Sequence, residues 1–217
     1  PPMEVEVSSW SPDGKRIAFM GRSPNQPYRI YVVNRDGGGF AEAAEGDDNQ
    51  GGPSWSRDGR TIVYGNVFGE VTQNGLIRRI DLASGKVQIV PRSNNFRTAR
   101  WSPDGKYIAA LRWQTRELML LDVRTQRWKT LAGSITGDNI AWSSDSQFLY
   151  ADSPRQEKPV LERVRVRDGR RTTVASLASL QKVQAGINWV GLTPDSAPVF
   201  QRMFTANEIY ELKWADQ

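Results

Sequence analysis

The chain contains no cysteine and no histidine. Without cysteine there are no disulfides, no thiolate nucleophile and no zinc-finger framework, and the redox compartment stays open. Without histidine the commonest metal ligand and neutral-pH general base are missing. What remains for a metal is mainly carboxylate and carbonyl oxygen, a set that suits Ca²⁺ at best, so no built-in metal or organic cofactor is expected. Long apolar runs are lacking too: no stretch approaches about 18 uninterrupted residues, so no membrane-spanning helix is expected. The opening Pro1-Pro2-Met3-Glu4 has neither the charged region nor the apolar region of a signal peptide, and it reads as a processed boundary.

What is present is globular in composition, with 38% apolar and 10% aromatic residues in 217 and a modest net charge of +5. One hexapeptide organises it. Trp10-Ser11-Pro12-Asp13-Gly14-Lys15 returns as Trp55-Ser56-Arg57-Asp58-Gly59-Arg60 and as Trp101-Ser102-Pro103-Asp104-Gly105-Lys106. Weaker copies follow in Trp142-Ser143-Ser144-Asp145-Ser146 and in Trp189 through Thr193-Pro194-Asp195-Ser196. The tryptophans are 45, 46, 41 and 47 residues apart, a period in the range of propellers and solenoids. The turn chemistry favours hairpins: Pro presets φ, Asp bonds back to the chain, and Gly takes the left-handed conformation that closes a bulged hairpin. Asp13, Gly14, Asp58, Gly59, Asp104 and Gly105 are therefore read as structural turn residues and not as an acid cluster. Short β-prone runs follow each turn, among them Ile17–Met20, Thr61–Tyr64 and Tyr107–Ala110.

The expected fold is all-β: a single β-propeller domain over 1–217, with five recognisable four-stranded blades and the last one incomplete. The blades fall near 1–46, 47–92, 93–133, 134–178 and 179–217. Blade five offers Ile187–Trp189, Pro198–Phe204 and Glu208–Trp214, and its fourth strand is expected to be missing, or closure to come from Pro1–Val7 beside Glu208–Trp214. An open edge of that kind recruits another chain, so oligomers through the last blade are one expectation. Leu177–Val183 is the one segment with helical character.

The hexapeptide, followed by strands such as Ile17-Ala18-Phe19 and Arg29–Asn34, resembles the TolB-like propeller repeat, strongly in the first three repeats and weakly in the last two. The end of the chain, Leu192–Asp195 through Glu208–Trp214, is similar to propellers attached to bacterial winged-helix regulators and Ser/Thr kinases. The resemblance implies a non-catalytic sensory or interaction module of a larger bacterial protein, or a TolB-type periplasmic scaffold with a protein partner. Fold analogy says little about the ligand itself.

Three other chemistries are weighed against the residues. A glycoside hydrolase needs two carboxylates across the funnel, and the inner strands offer Glu4 and Glu6, with Asp47, Asp48 and Asp138 in preceding loops. A complete enzyme of the prolyl-oligopeptidase type needs a Gly-x-Ser-x-Gly elbow, which is absent, so only that family's gating propeller stays open. The run Arg163, Arg165, Arg167, Arg170, Arg171 alternates at first with Val164 and Val166. It therefore reads as the solvated face of an outer strand and not as a nucleic-acid groove.

The binding face is expected on the side formed by the B–C and D–A loops, because the A–B and C–D turns are short and the other loops are long and irregular. Repeat tryptophans are expected to pack between blades, and Trp128 to pack on the surface of an outer strand. Trp113 instead opens the loop Gln114–Glu117 beside arginines. Arg97, Trp113 and Arg116 are expected to meet at the funnel mouth, flanked by Asn94, Asn95, Asp138 and Asn139, and to bind a protein, a peptide or a glycan.

Overall fold

The computed structural model describes residues 3–44, 49–65, 75–153, 159–178 and 187–202. Eighteen strands fill these segments and form four four-stranded sheets and one two-stranded sheet. Blade one is β1 (Glu4–Trp10), β2 (Arg16–Arg22), β3 (Arg29–Asn34) and β4 (Ala41–Glu42). Blade two is β5 (Ser54–Trp55), β6 (Thr61–Tyr64), β7 (Arg78–Asp81) and β8 (Val87–Ile89). Blade three is β9 (Phe96–Trp101), β10 (Tyr107–Arg112), β11 (Glu117–Asp122) and β12 (Arg127–Ala132). Blade four is β13 (Ile140–Trp142), β14 (Phe148–Ser153), β15 (Val160–Arg165) and β16 (Arg171–Ser176). The expectation of five four-stranded blades with the last one incomplete is corrected to four; of the fifth, only β17 (Ile187–Leu192) and β18 (Pro198–Arg202), a two-stranded sheet, lie among the described residues. The anticipated strand Glu208–Trp214, the closure through it, and most of Leu177–Val183 lie outside the described residues.

Period-two alternation decides which neighbour each strand serves. In β10, Ala109 and Leu111 face blade four while Ile108 and Ala110 face blade two. Four apolar cores result, one at each blade junction. The largest joins Leu111, Leu118 and Leu120 of blade three to Ile140, Trp142, Leu149 and Val164 of blade four. The first joins Ala18 and Ile30 to Trp55, Ile62, Tyr64 and Ile80. In blade four, Val164 and Val166 are buried toward blade three, leaving Arg163 and Arg165 half-buried on the opposite face of the sheet, where Arg163 lies over the Phe148 ring.

The repeat tryptophans pack backwards onto the preceding blade. The Trp55 indole donates to the Ser9 carbonyl at 2.9 Å, and Trp142 donates to the Arg100 carbonyl at 3.0 Å. Trp10 departs from the expectation that all five pack between blades: it is 55% exposed. Among the described residues no blade precedes blade one, so the outer face of that sheet carries Trp10 together with a stack of Phe19, Tyr31 and Phe40. Trp128 is more enclosed than expected: its ring meets Phe96 edge-on at 4.7 Å and its N–H reaches the Pro91 carbonyl.

Candidate functional site

The tight-turn face is saturated by its own hydrogen bonds. In the first turn the Ser11 hydroxyl donates to Asp13 at 2.6 Å, and the amides of Lys15 and Arg16 close back onto Asp13 and Ser11. Ser56 and Asp58, Ser102 and Asp104, and Ser143 and Asp145 repeat the arrangement. The hydroxyl bonds hold Asp13, Asp58 and Asp145 below the ordinary carboxylate range. Adjacent turns are then linked: Arg16 donates to the Gly59 carbonyl, Arg57 to the Asp104 carbonyl, and the Asp104 and Ser144 amides to the hydroxyls of Ser146 and Ser196. The serine that follows Trp10, Trp55, Trp101 and Trp142 is thus a turn clasp, a role that the residue pattern alone leaves unread.

The opposite face gathers a different set. The Arg97 guanidinium carbon lies 3.3 Å from the centroid of the Trp113 ring, and that of Arg116 lies 4.3 Å from it. Both arginines converge on one carboxylate oxygen: Asp138 Oδ1 accepts from Arg97 Nη2 and from Arg116 Nη1, the latter at 3.2 Å. Arg97, at the start of β9, is the most enclosed member, its side chain 12% exposed against 28% for Asp138. Trp113 remains 42% exposed. The result is an indole held by two cations that share one anion, with net positive charge around a half-open aromatic surface.

Backbone geometry fixes this cluster. Thr98 has φ of 55°, a left-handed conformation that a β-branched residue rarely adopts, and it sits where the β9–β10 register shifts. Its hydroxyl donates to the Asp138 carbonyl at 3.0 Å. Gly137 donates its amide to the Asp152 carbonyl, and a Cβ at 137 would fall inside contact distance of that carbonyl. Only glycine therefore lets the loop lie flat enough to deliver Asp138. The Arg116 carbonyl accepts from Ile135 N at 2.9 Å, tying the loop that carries Trp113 and Arg116 to the loop that carries Asp138. Thr98 and Gly137 carry no sequence signal that marks them.

The flanking residues divide. Asn95, at φ 63°, accepts from Trp113 N through its carbonyl at 2.8 Å and so positions the indole. Asn94 is exposed in the same loop. Asn139 turns the other way, its side-chain amide reaching the Trp189 carbonyl at 3.4 Å toward β17. The paired-carboxylate geometry of a glycoside hydrolase is not formed by Glu4 and Glu6: they lie on one strand, and both accept from the Tyr28 hydroxyl, at 3.1 and 2.6 Å. These bonds push the Tyr28 phenol up, Glu6 contributing most. Asp47 and Asp48 fall outside the described residues. Among the described residues no group of three or more acidic side chains converges as a metal site.

The model of the TolB beta propeller domain matches residues 4–187. The chain belongs to the TolB beta propeller domain family. Over 139 residues this TolB-type propeller is 30% identical to dipeptidyl-peptidase 5 of Porphyromonas gingivalis, a match covering 58% of the chain and 20% of that protein. Among solved structures, TolB from Acinetobacter baumannii superposes with a TM-score of 0.66 at 21% identity, over 84% of this chain and 45% of that one. A protein from Agrobacterium tumefaciens described as TolB gives the same TM-score at 19% identity, over 79% of this chain and 65% of its own. The chain thus spans a fifth of the curated relative and less than two thirds of either structure. At these identities the structures establish the fold. No helix among the described residues is long and apolar enough to cross a membrane.

Proposed function

We propose that this TolB-type propeller is a non-catalytic binding module, periplasmic, that docks a protein or peptide on its B–C and D–A loop face with Trp113 as the anchor. The observation that carries the reading is the Trp113 ring, 42% exposed yet pinned by Arg97 and Arg116 onto a shared Asp138. A pre-positioned aromatic loses little conformational freedom on binding, and tryptophan and arginine are the residues that most often dominate interfaces. The positive balance of the cluster favours a partner segment that brings a carboxylate beside an apolar side chain. A sensory or scaffolding role within a larger bacterial protein follows from this reading, and glycan binding is the weaker form of it, since an acidic peptide matches both the charge and the ring.

The test is partner capture with purified protein, quantified for Trp113→Ala, Arg97→Ala and, in the opposite turns, Arg60→Ala. Captured partner should fall at least tenfold for the two loop variants and stay at the wild-type level for Arg60→Ala. The reverse pattern would move the site to the other face.

A second reading has one observation in its favour, the 30% identity to a dipeptidyl peptidase. In it the propeller is the gating domain of a larger peptidase, the nucleophile lying outside this chain. Peptide hydrolysis by the full-length protein, lost with a serine outside 1–217, would select it.

A further inference from the structure

Between the inner strands of the propeller lies a cavity of about 220 Å³, with Ser9, Ser54, Arg100, Ala141, Trp142 and Trp189 in its wall. Arg100 is the exception in its row. The residue before the repeat tryptophan is Ser9 in blade one, Ser54 in blade two and Ala141 in blade four. Blade three alone of these places a full positive charge there.

Among the described residues that charge meets no carboxylate. Arg100 Nη1 donates to two neutral acceptors, its neighbour's carbonyl at Ala99 (2.9 Å) and the Gly52 carbonyl (3.1 Å). Among the described residues its Nη2 and Nε meet no acceptor, whereas Arg97, Arg112, Arg116, Arg165 and Arg171 each hold a carboxylate. Desolvation pushes the guanidinium down to about 10, with no charge acting in the other direction, and it stays cationic at neutral pH. A half-buried cation that meets only neutral acceptors among the described residues is costly, and a bound anion offsets that cost while satisfying the idle donors.

We propose that the cavity is a carboxylate-binding site in which Arg100 supplies the charge. The wall chooses the kind of anion. The Trp101, Trp142 and Trp189 N–H groups are spent on the carbonyls of Gly105, Arg100 and Gly191, so the indoles offer ring surface and no donors. Ser54 accepts from the Trp101 amide at 2.9 Å through its oxygen, which leaves its hydroxyl proton for a ligand. One charged fork, one hydroxyl and aromatic walls fit an organic carboxylate better than a bare phosphate, which asks for donors on every side. At roughly 30 Å³ per water the space holds about seven waters, or an acid of similar bulk. Gly52 lies against the guanidinium, and a Cβ there would stand 3.4 Å from Nη2, so glycine keeps that flank clear.

The probe is benzoate, titrated calorimetrically into the purified chain alongside benzamide and inorganic phosphate. Benzoate should bind at one site, with benzamide and phosphate each at least tenfold weaker. Arg100→Gln should weaken benzoate at least tenfold, and Arg60→Ala, exposed in the opposite turns, should leave it within twofold of wild type. Equal affinity for benzoate and benzamide overturns the proposal, as does phosphate binding tighter than benzoate. So does benzoate binding that survives Arg100→Gln but is lost in Arg97→Ala, which assigns the carboxylate to the loop face. Should Arg100→Gln fail to fold, the contrast between benzoate and benzamide on the wild-type chain decides alone.

Discussion

Arg97 and Trp113 are in face contact, guanidinium carbon to ring centroid 3.3 Å, although sixteen positions separate them in the chain. They meet because β9 and β10 are paired antiparallel, with Arg97 opposite Leu111, two residues before Trp113. The contact contributes about 0.5–2 kcal/mol depending on how dry it is, and it fixes the ring plane as well as its position.

Asp138 should matter to both properties of the cluster. Asp138→Ala leaves the enclosed Arg97 without its carboxylate, and hydrogen bonds to charged groups typically contribute about 1.5–3 kcal/mol. The urea midpoint should fall accordingly, and quenching of Trp113 fluorescence by acrylamide should rise as the ring loosens. An unchanged midpoint would mean that the ion pair is neutral in stability.

Thr98 offers a test of strain. At φ 55° a β-branched residue carries a penalty of roughly 1–3 kcal/mol that glycine does not. Both Thr98→Ala and Thr98→Gly delete the hydroxyl that reaches the Asp138 carbonyl, but only glycine relieves the backbone. Thr98→Gly should therefore be more stable than Thr98→Ala by about 1 kcal/mol, the reverse of the usual order in a strand. The usual order would show that Thr98 is not strained.

The repeat tryptophans should separate by position. Trp55 is buried at the first blade junction, and Trp55→Ala should cost about 3–5 kcal/mol. Trp10, more than half exposed, should cost less than about 1 kcal/mol in the same measurement. Equal losses would show that something covers Trp10 in solution.

The turn aspartates set an acid dependence. Asp13, Asp58 and Asp145 are held below their ordinary value of 3.8, chiefly by the hydroxyls of Ser11, Ser56 and Ser143. A depressed native value means that the unfolded chain takes up protons first. The stability is therefore present above 3.8 and is lost as pH falls through the lower native values. Replacing the three serines by alanine should lower stability at pH 7 and make its further drop toward pH 3 smaller than in the wild type. An equal or steeper drop would place the acid sensitivity elsewhere.

Much of the architecture was legible because it repeats. Turn residues act over four or five positions, so Ser-x-Asp-Gly announces the first three repeat hairpins and Ser/Thr-x-Asp-Ser the last two, and strand alternation assigns the faces of residues such as Ala109 and Ala110. The same locality explains why Trp113 and Arg116 stand out, as an aromatic and a charged side chain in a loop between β10 and β11, beside Arg97 at the start of β9. Local signals also misled, since a tryptophan at the repeat position does not say whether a neighbouring blade exists, and Trp10 lies exposed.

The sequence by itself determined the propeller family and the hairpin turns, consequences of short-range backbone preference repeated every 41 to 47 residues. Only the tertiary structure decided which charges find partners. Asp138 reaches Arg97 across 41 positions, while Arg100, three residues further on, meets only carbonyls among the described residues. Whether an arginine ends on a carboxylate or on carbonyls beside a cavity depends on what the neighbouring blade presents. Each blade's own stretch of sequence does not contain that information.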